Sequence, residues 1–203
     1  MQLLYTQRSP YVRKVRVCLI ELGLHDRVTF NLMDLEHPAP ELAANNPLGK
    51  VPTLIADDGQ AIFESSLICE YLDGLAAQPT LFPPLGPARW TALRRQALAN
   101  GILDALTTRR HEARRPEGER SASAMQKQKV KSDRGIAALE NEAPHFGDAV
   151  TIGEIAIACC LGYLDFRFPG EPWRPGAPRL AQWYGGFAKR RSMVETTPPP
   201  GGH

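Results

Sequence analysis

The stretch of residues 46–66, NPLGKVPTLIADDGQAIFESS, constrains the fold of this chain more than any other part of its sequence. It holds two short apolar runs, 54–55 and 61–63, which are joined by a segment that contains Asp58-Gly59. This dipeptide favours a tight turn between antiparallel strands, so the two runs predict a β-hairpin. Pro52 has no N–H to give to a sheet, which indicates an edge or a special turn directly before the first strand.

Polar residues after the second run predict the start of a helix that can hold charged groups. Glu64 and Ser65 precede apolar residues at helical spacing, and Ser65 is well placed to cap the helix. A helix N-terminus offers free N–H groups to a carboxylate, and a neighbouring carboxylate can bind an ammonium group. Residues 64 and 65 could therefore hold the α-amino acid end of a small ligand. A plain capped helix after a hairpin is the alternative.

The remaining pattern predicts an α/β domain followed by an all-helical one. Strand candidates at 3–5 and 28–32, a helix from Pro10 to Leu22, and the hairpin with its helix follow the order βαβαββα. This is the thioredoxin-like arrangement, which has a mixed sheet. The expected divisions are a thioredoxin-like domain at 1–76, a proline-rich linker at 77–85, an all-helical domain at 86–192 and a disordered tail at 193–203.

Two segments of the second half differ in how much they predict. Thr151 and Glu154 form a capping box ahead of a nearly all-apolar helix, which indicates a central helix. Residues 109–123 are polar and contain one proline and one glycine. They are compatible with a frayed helix end or with a mobile loop, and the role of this segment stays open.

Composition excludes several classes of function. The net charge of +2 is too small to indicate nucleic acid binding. No apolar run approaches the roughly 20 residues of a membrane span, and the start of the chain is strand-like rather than a charged leader, so we expect a cytoplasmic protein. The four cysteines lie in apolar helical patterns and are expected to be buried free thiols. The five histidines have no metal-ligand spacing, so no metal is expected.

Three short motifs and their order resemble the glutathione S-transferase family. Ser9-Pro10-Tyr11 stands at the first strand-to-helix junction, Lys50-Val51-Pro52 comes before the hairpin, and Glu64-Ser65 follows it. Together with the linker and the capping-box helix, they follow the order of the family over most of the chain, and the sequence is similar to its bacterial, serine-type members. The resemblance implies the two-domain architecture described above, glutathione as cosubstrate and a homodimer.

The resemblance also implies a role for particular residues. Ser9 would stabilise the thiolate of glutathione. Lys50 and His37 would approach the glycine carboxylate, Val51 would pair with the cysteinyl backbone, and Glu64 with Ser65 would hold the γ-glutamyl end. A second-substrate pocket would use Tyr11, Leu106 and Arg109, where an arginine could steer an acidic cosubstrate or belong to an exposed face.

The implied activity is conjugation of the glutathione thiolate to a small electrophile, as in detoxification, with Ser9 as the catalytic residue. Tyr5 is the rival hydroxyl, because several classes of the family use a tyrosine near that position. One alternative is a non-catalytic scaffold or regulatory protein that kept the fold. Another is a glutathione-dependent isomerase or thiol transferase, although thiol transfer normally needs a cysteine at position 9.

Overall fold

The computed structural model describes residues 1–37, 40–78 and 81–201, and the chain divides into two compact units. The first contains Met1–Arg89 together with the C-terminal segment 191–201, and the second contains Trp90–Arg190. Two residues of the linker expected at 77–85 lie outside the described residues. This division does not test the domain boundaries expected from the sequence, which stay a prediction.

A four-stranded sheet lies in the first unit. Its strands are β1 (Gln2–Tyr5), β2 (Thr29–Leu32), β3 (Thr53–Ile55) and β4 (Ala61–Phe63), and their spatial order is β2-β1-β3-β4. β1 is parallel to β2 and antiparallel to β3, and β3 is antiparallel to β4. The mixed sheet of the thioredoxin-like arrangement is therefore confirmed.

The β3–β4 hairpin forms where the Asp58-Gly59 signal predicts it. Ile55 pairs with Ala61 across the turn, and Gly59 has a φ of +85°, a conformation that glycine adopts without a steric cost. The Asp58 carboxylate accepts the N–H of Gln60 at 2.9 Å. The local turn chemistry therefore fixes the register of the hairpin.

Three helices accompany the sheet: α1 (Pro10–Glu21), α2 (Pro40–Asn45) and α3 (Ser65–Leu75). α1 and α3 pack against each other, and Cys18 of α1 and Cys69 of α3 bring their sulfur atoms to 3.4 Å. All four cysteines are buried free thiols, as predicted. The core of this unit consists of aliphatic side chains without exposed surface, which include Leu3, Leu4, Val15, Leu19, Leu54, Ile68 and Leu72.

The second unit is helical, as the fold class requires. It contains most of α4 (Gly86–Ala113) together with α5 (Ala122–Glu142), α6 (Ile152–Arg167) and α7 (Pro178–Phe187). α6 is buried from Ile152 to Leu164, which confirms the central helix that its apolar sequence predicts. Among the described residues, no helix combines the length and the apolar character needed to cross a membrane.

The polar segment 109–123 belongs largely to helices. α4 continues to Ala113, a single 3-10 turn covers Glu117–Glu119, and α5 begins at Ala122. The Ser121 hydroxyl accepts the N–H of Ala124 at 3.2 Å and caps α5. The sequence left a frayed helix end or a mobile loop open, whereas the structure has an ordered helix end followed by a short connection to α5.

The end of the chain packs on α1, whereas the sequence predicts a disordered tail at 193–203. Arg191–Glu195 form a short helix, α8. The guanidinium of Arg13 in α1 donates to the Met193 carbonyl at 3.0 Å, and Met193 and Thr196 are buried. The composition of this segment indicated disorder. Composition cannot show the contacts that order it, because they come from a helix near the start of the chain. The last two residues lie outside the described part of the chain.

Candidate functional site

The register of the sheet brings four chain segments to one end of the first unit. β1 and β2 end side by side, and the start of β3 lies beside the ends of β1 and β4. The loops that follow β1, β2 and β4, and the loop that precedes β3, therefore meet the sheet at the same end. These loops or the residues directly beside them contain six of the predicted site residues: Ser9, His37, Lys50, Val51, Glu64 and Ser65.

Ser9 is the N-cap of α1. Its backbone is extended, with φ −77° and ψ 125°, and its hydroxyl oxygen accepts the N–H of Val12 at 3.3 Å. Pro10 follows as the first helical residue, where its missing N–H costs no hydrogen bond. Because the oxygen serves as the acceptor for the helix, the hydroxyl proton can still be donated to an anion near the helix N-terminus.

Tyr5, the rival hydroxyl, ends β1 and makes packing contacts. Its ring meets Phe30 of β2 edge to face, with centroids 5.7 Å apart. The Arg16 guanidinium carbon lies 6.0 Å from the centroid of the Tyr5 ring. These contacts explain the position of the ring, and they leave the choice between Tyr5 and Ser9 open.

Asn46 organises the loop before β3, and it was not among the residues singled out from the sequence. Its side-chain amide donates to the Lys50 carbonyl at 2.9 Å and to the Thr53 hydroxyl at 3.1 Å. Its side-chain oxygen accepts the N–H of Leu48 at 3.0 Å, and the residue is 2% exposed. An asparagine followed by proline is a signal for this type of turn and could have identified it.

The same loop presents Val51 and Lys50. The Val51-Pro52 peptide bond is cis. Within the described part of the chain, the N–H and C=O of Val51 have no hydrogen-bond partner. Groups of this kind can pair with an extended peptide, as a sheet edge does with an added strand. The Lys50 side chain is exposed beside them.

Glu64 has an uncommon backbone conformation between β4 and α3. Its φ is +73°, in a region that residues other than glycine rarely adopt. The Glu64 carboxylate accepts the N–H of Ser66 at 2.9 Å and that of Leu67 at 3.3 Å. Glu64 therefore caps α3, whereas Ser65, the cap expected from the sequence, is the first helical residue. A strained non-glycine residue of this kind is typical of functional sites.

Ser65 lies directly beside this carboxylate. It is 2% exposed, and its hydroxyl donates to the Glu64 carboxylate at 3.2 Å. A negative charge, a hydroxyl and the start of a helix are thus close together. This combination can bind a group that carries both an ammonium and a carboxylate.

Lys14 of α1 is a second residue that sequence reasoning missed. Its side chain has no exposed surface, and its ammonium lies 3.4 Å from the Ser66 hydroxyl at the start of α3. The sequence feature that could have identified it is its position one helical turn before the apolar Cys18, which places both residues on the same side of α1. A buried cation at this place favours negative charge near the start of α3.

His37 follows β2 at an exposed position. Its Nδ1 lies 3.3 Å from the Asp34 carboxylate. Hydrogen bonds from the Glu36 N–H and from His37 lower the pKa of Asp34. The next two residues of this loop lie outside the described part of the chain, and the role of His37 in binding stays a prediction.

The three residues expected to line a second-substrate pocket occupy different environments. Tyr11 is half-buried in α1, and Leu106 has no exposed surface in α4. The Arg109 guanidinium donates to the Glu171 carboxylate at 2.5 Å and lies 4.5 Å from the centre of the Phe168 ring. The charge of Arg109 is therefore compensated within the second unit, and the pocket role of the three residues stays a prediction.

Comparison with known families gives two matches along the chain. Residues 3–80 match the glutathione S-transferase N-terminal domain, and residues 96–186 match the glutathione S-transferase C-terminal domain. The chain is also 34% identical over 206 residues to the uncharacterized GST-like protein YibF of Escherichia coli K12. That alignment covers 98% of this chain and 99% of YibF.

Solved structures are similar over the same length. A glutathione transferase family member from Pseudomonas fluorescens Pf-5 with bound glutathione is 40% identical, with a TM-score of 0.90 and coverage of 98% of both chains. A second crystal structure from that strain contains S-(propanoic acid)-glutathione. It is also 40% identical, with a TM-score of 0.89, and covers 98% of this chain and 100% of that chain.

Proposed function

The chain belongs to the glutathione S-transferase family, and we propose that it is a transferase that conjugates glutathione to a small electrophile. Glutathione would bind in the first unit, and its thiolate would attack the second substrate. The observation that carries the proposal is that the segments which contain Ser9, Val51 and Glu64 lie at the same end of the sheet. Bound glutathione in the similar Pseudomonas structure supports this ligand.

Ser9 would act on the protonation of the glutathione thiol. An unperturbed thiol has a pKa near 8.5, so only a few per cent is thiolate at neutral pH. A hydrogen bond to the charged sulfur contributes about 1.5–3 kcal/mol, and a helix N-terminus contributes about 0.3–1 kcal/mol. At about 1.4 kcal/mol for each pKa unit, these terms are sufficient to lower the pKa of the thiol by about one to two units.

Ionisation of the thiol accounts for only part of the rate. The thiolate fraction cannot exceed one, so this effect raises the rate by roughly tenfold. The rest of the acceleration would come from holding the electrophile close to the sulfur. Removal of Ser9 should therefore reduce the activity without abolishing it.

The remaining residues would hold the tripeptide. The free backbone groups of Val51 would pair with the cysteinyl residue, as in β-strand addition. Glu64 would bind the α-ammonium group, and Ser65 with the start of α3 would bind the adjacent carboxylate. Lys50 and His37 would attract the glycine carboxylate. Each group would recognise a different charged or polar part of glutathione.

The second substrate would bind near Tyr11, Leu106 and Arg109. The ligand in the second Pseudomonas structure is a glutathione adduct whose added group ends in a carboxylic acid. This supports a small acid as the electrophile for this chain. A homodimer and a cytoplasmic location, which the family resemblance and the composition favour, complete the proposal.

The test is a comparison of the wild type with Ser9→Ala and Tyr5→Phe. The pKa of bound glutathione is read from the ultraviolet absorbance of the thiolate across a pH series, and kcat/KM is measured with a panel of electrophiles. Ser9→Ala should raise the pKa of the bound thiol by about one to two units and reduce kcat/KM at neutral pH about tenfold. Tyr5→Phe should leave both quantities unchanged.

Two other outcomes have a defined meaning. If Tyr5→Phe has the effect expected of Ser9→Ala, the tyrosine is the catalytic hydroxyl. If the wild type is not retained on immobilised glutathione, a non-catalytic scaffold is favoured instead. A further variant, Ser9→Cys, should shift the activity from conjugation towards thiol transfer, because a thiol can form a mixed disulfide with glutathione.

A further inference from the structure

Two of the four cysteines face each other between helices of the first unit. Cys18 lies in α1 and Cys69 lies in α3, 51 positions further along the chain, and their sulfur atoms are 3.4 Å apart. Neither residue has exposed surface, and both are thiols in this structure. The proposed conjugation reaction uses neither of them, so their contact calls for a separate explanation.

The contact of the two sulfurs belongs to a regular seam between α1 and α3. Lys14 stands four residues before Cys18, and Ser66 stands three residues before Cys69. The Lys14 ammonium lies 3.4 Å from the Ser66 hydroxyl. Residues at these spacings lie on the same face of a helix, so the two contacts follow each other one turn apart. The packing of whole helices therefore holds the sulfurs opposite each other.

This arrangement suits bond formation as well as packing. A disulfide has an S–S distance of about 2.05 Å, so the two sulfurs have to approach each other by about 1.4 Å. A small shift of α1 against α3 supplies this approach. The buried Lys14 ammonium one turn away makes the seam electropositive, which is typical of the surroundings of cysteines that react with oxidants.

We propose that Cys18 and Cys69 form a site of oxidative modification, at which a hydroperoxide converts the two thiols into a disulfide that ties α1 to α3. Because both residues are buried, the oxidant reaches them when the two helices separate transiently. The inference goes beyond the proposed transferase function and does not depend on it.

The oxidation takes place in two steps. The sulfur of one cysteine attacks an oxygen of the hydroperoxide ROOH, the O–O bond breaks, and the products are a sulfenic acid and ROH. The second sulfur then attacks the sulfenic sulfur, the S–S bond forms, and water leaves. The hydroperoxide thus takes up two electrons and the two thiol protons. Two molecules of glutathione reverse the change by thiol–disulfide exchange and leave as glutathione disulfide.

The disulfide should stabilise the unit that carries the candidate functional site. It would join residues 51 positions apart, and closing a long loop restricts the unfolded chain. α1 begins beside Ser9 and α3 begins beside Glu64, so the bond would tie together two helices whose N-termini belong to that site. The protein should therefore unfold at a higher temperature when it is oxidised than when it is reduced.

The test compares the full chain before and after treatment with hydrogen peroxide. Remaining thiols are blocked under denaturing conditions, and mass spectrometry of tryptic peptides should find a peptide pair that links residues 18 and 69. The melting temperature should rise by about 5 °C or more, and reduced glutathione should return it to its starting value.

Variants assign the rise in melting temperature to the two residues. Cys18→Ala and Cys69→Ala should abolish it. The matched control is Cys160→Ala, which should show the same rise as the wild type. Cys160 is equally buried, and its burial and the neighbouring Cys159 raise the pKa of its thiol, which keeps it protonated.

Each outcome decides for or against the site. A linked peptide pair, with a rise in melting temperature that disappears in Cys18→Ala, supports it. The inference is overturned if the wild type yields no linked pair, if sulfinic or sulfonic acid forms in place of the link, or if Cys18→Ala keeps the rise. Peptide mapping of the wild type gives an answer even where a variant fails to fold. A chain that forms the link but does not bind glutathione keeps this inference and loses the proposed function.

Discussion

The ammonium of Lys14, which is fully buried, lies 3.4 Å from the hydroxyl of Ser66 at the start of α3. The Ser66 N–H in turn donates to the Glu64 carboxylate at 2.9 Å. The chain thus keeps a charged group in its interior, directly under the part of the site proposed to bind the γ-glutamyl end of glutathione. Burial of a charge costs free energy, and we expect this one to act on the binding of the glutamyl end.

Lys14→Met should weaken glutathione binding while leaving the fold intact. Loss of about 1 kcal/mol of favourable interaction with the glutamyl carboxylate corresponds to about a fivefold higher KM for glutathione. The melting temperature should stay the same or rise, because methionine has a similar size and needs no charge buried. Steady-state kinetics and thermal melts measure the two effects. The exposed Lys189→Met is the control, and a large loss of stability in Lys14→Met would assign the lysine a structural role.

Asn46→Ala should loosen the loop that carries Lys50 and Val51. The substitution removes the side-chain amide that donates to the Lys50 carbonyl and to the Thr53 hydroxyl, so the free energy of unfolding should fall by about 1–3 kcal/mol. The KM for glutathione should rise as well. The neighbouring Asn45, which donates to the Glu41 carbonyl in α2, offers a matched control. A variant Asn45→Ala with the same rise in KM would contradict the role of Asn46.

Thr151→Ala should reduce the free energy of unfolding by about 0.5–2 kcal/mol, because it removes the cap of α6. The Thr151 hydroxyl accepts the N–H of Gly153 at 3.1 Å, and the Glu154 carboxylate accepts the N–H of Thr151 at 2.9 Å. Glu154 also pairs with Arg95, and both side chains are nearly buried. Glu154→Gln should therefore cost more, about 3–5 kcal/mol. Denaturant unfolding gives both values, and an equal cost would exclude the additional role of Arg95.

Glu142 should make the stability depend on pH in the acidic range. Burial acts to raise the pKa of Glu142, but hydrogen bonds from Arg94 and Arg95 outweigh it, and the pKa lies below its usual value. A carboxyl group whose pKa is lowered by folding stabilises the protein above its unfolded pKa, near 4.3, and this contribution is lost as the pH falls through the folded pKa.

The measurement is a series of thermal melts from about pH 7 to about pH 2. Glu142→Gln should be less stable than the wild type at neutral pH, and the difference should disappear at the acidic end, where Glu142 is protonated. The exposed Glu117→Gln is the control and should track the wild type throughout. A constant difference across the series would show that the effect of Glu142→Gln is unrelated to its charge.

Several features of the fold could be predicted because their causes lie within a few residues of each other. Asp58-Gly59 specified the turn between β3 and β4, Pro10 specified the start of α1, and Thr151 with Glu154 specified the start of α6. The order of the elements then led to the thioredoxin-like sheet and the helical second part. Turn and cap signals act through hydrogen bonds between residues that are close in the chain, so the sequence itself is enough to predict them.

Other features were decided only by the tertiary structure. Burial of Lys14, the contact of Arg13 with Met193 and the pairing of Arg109 with Glu171 each join residues far apart in the chain. The backbone of Glu64 also placed its carboxylate, rather than Ser65, on the start of α3. The sequence by itself thus determined the elements, their order and the family of the chain. Only packing determined which charges are compensated and which stay available to a ligand, because that depends on the neighbours that distant segments supply.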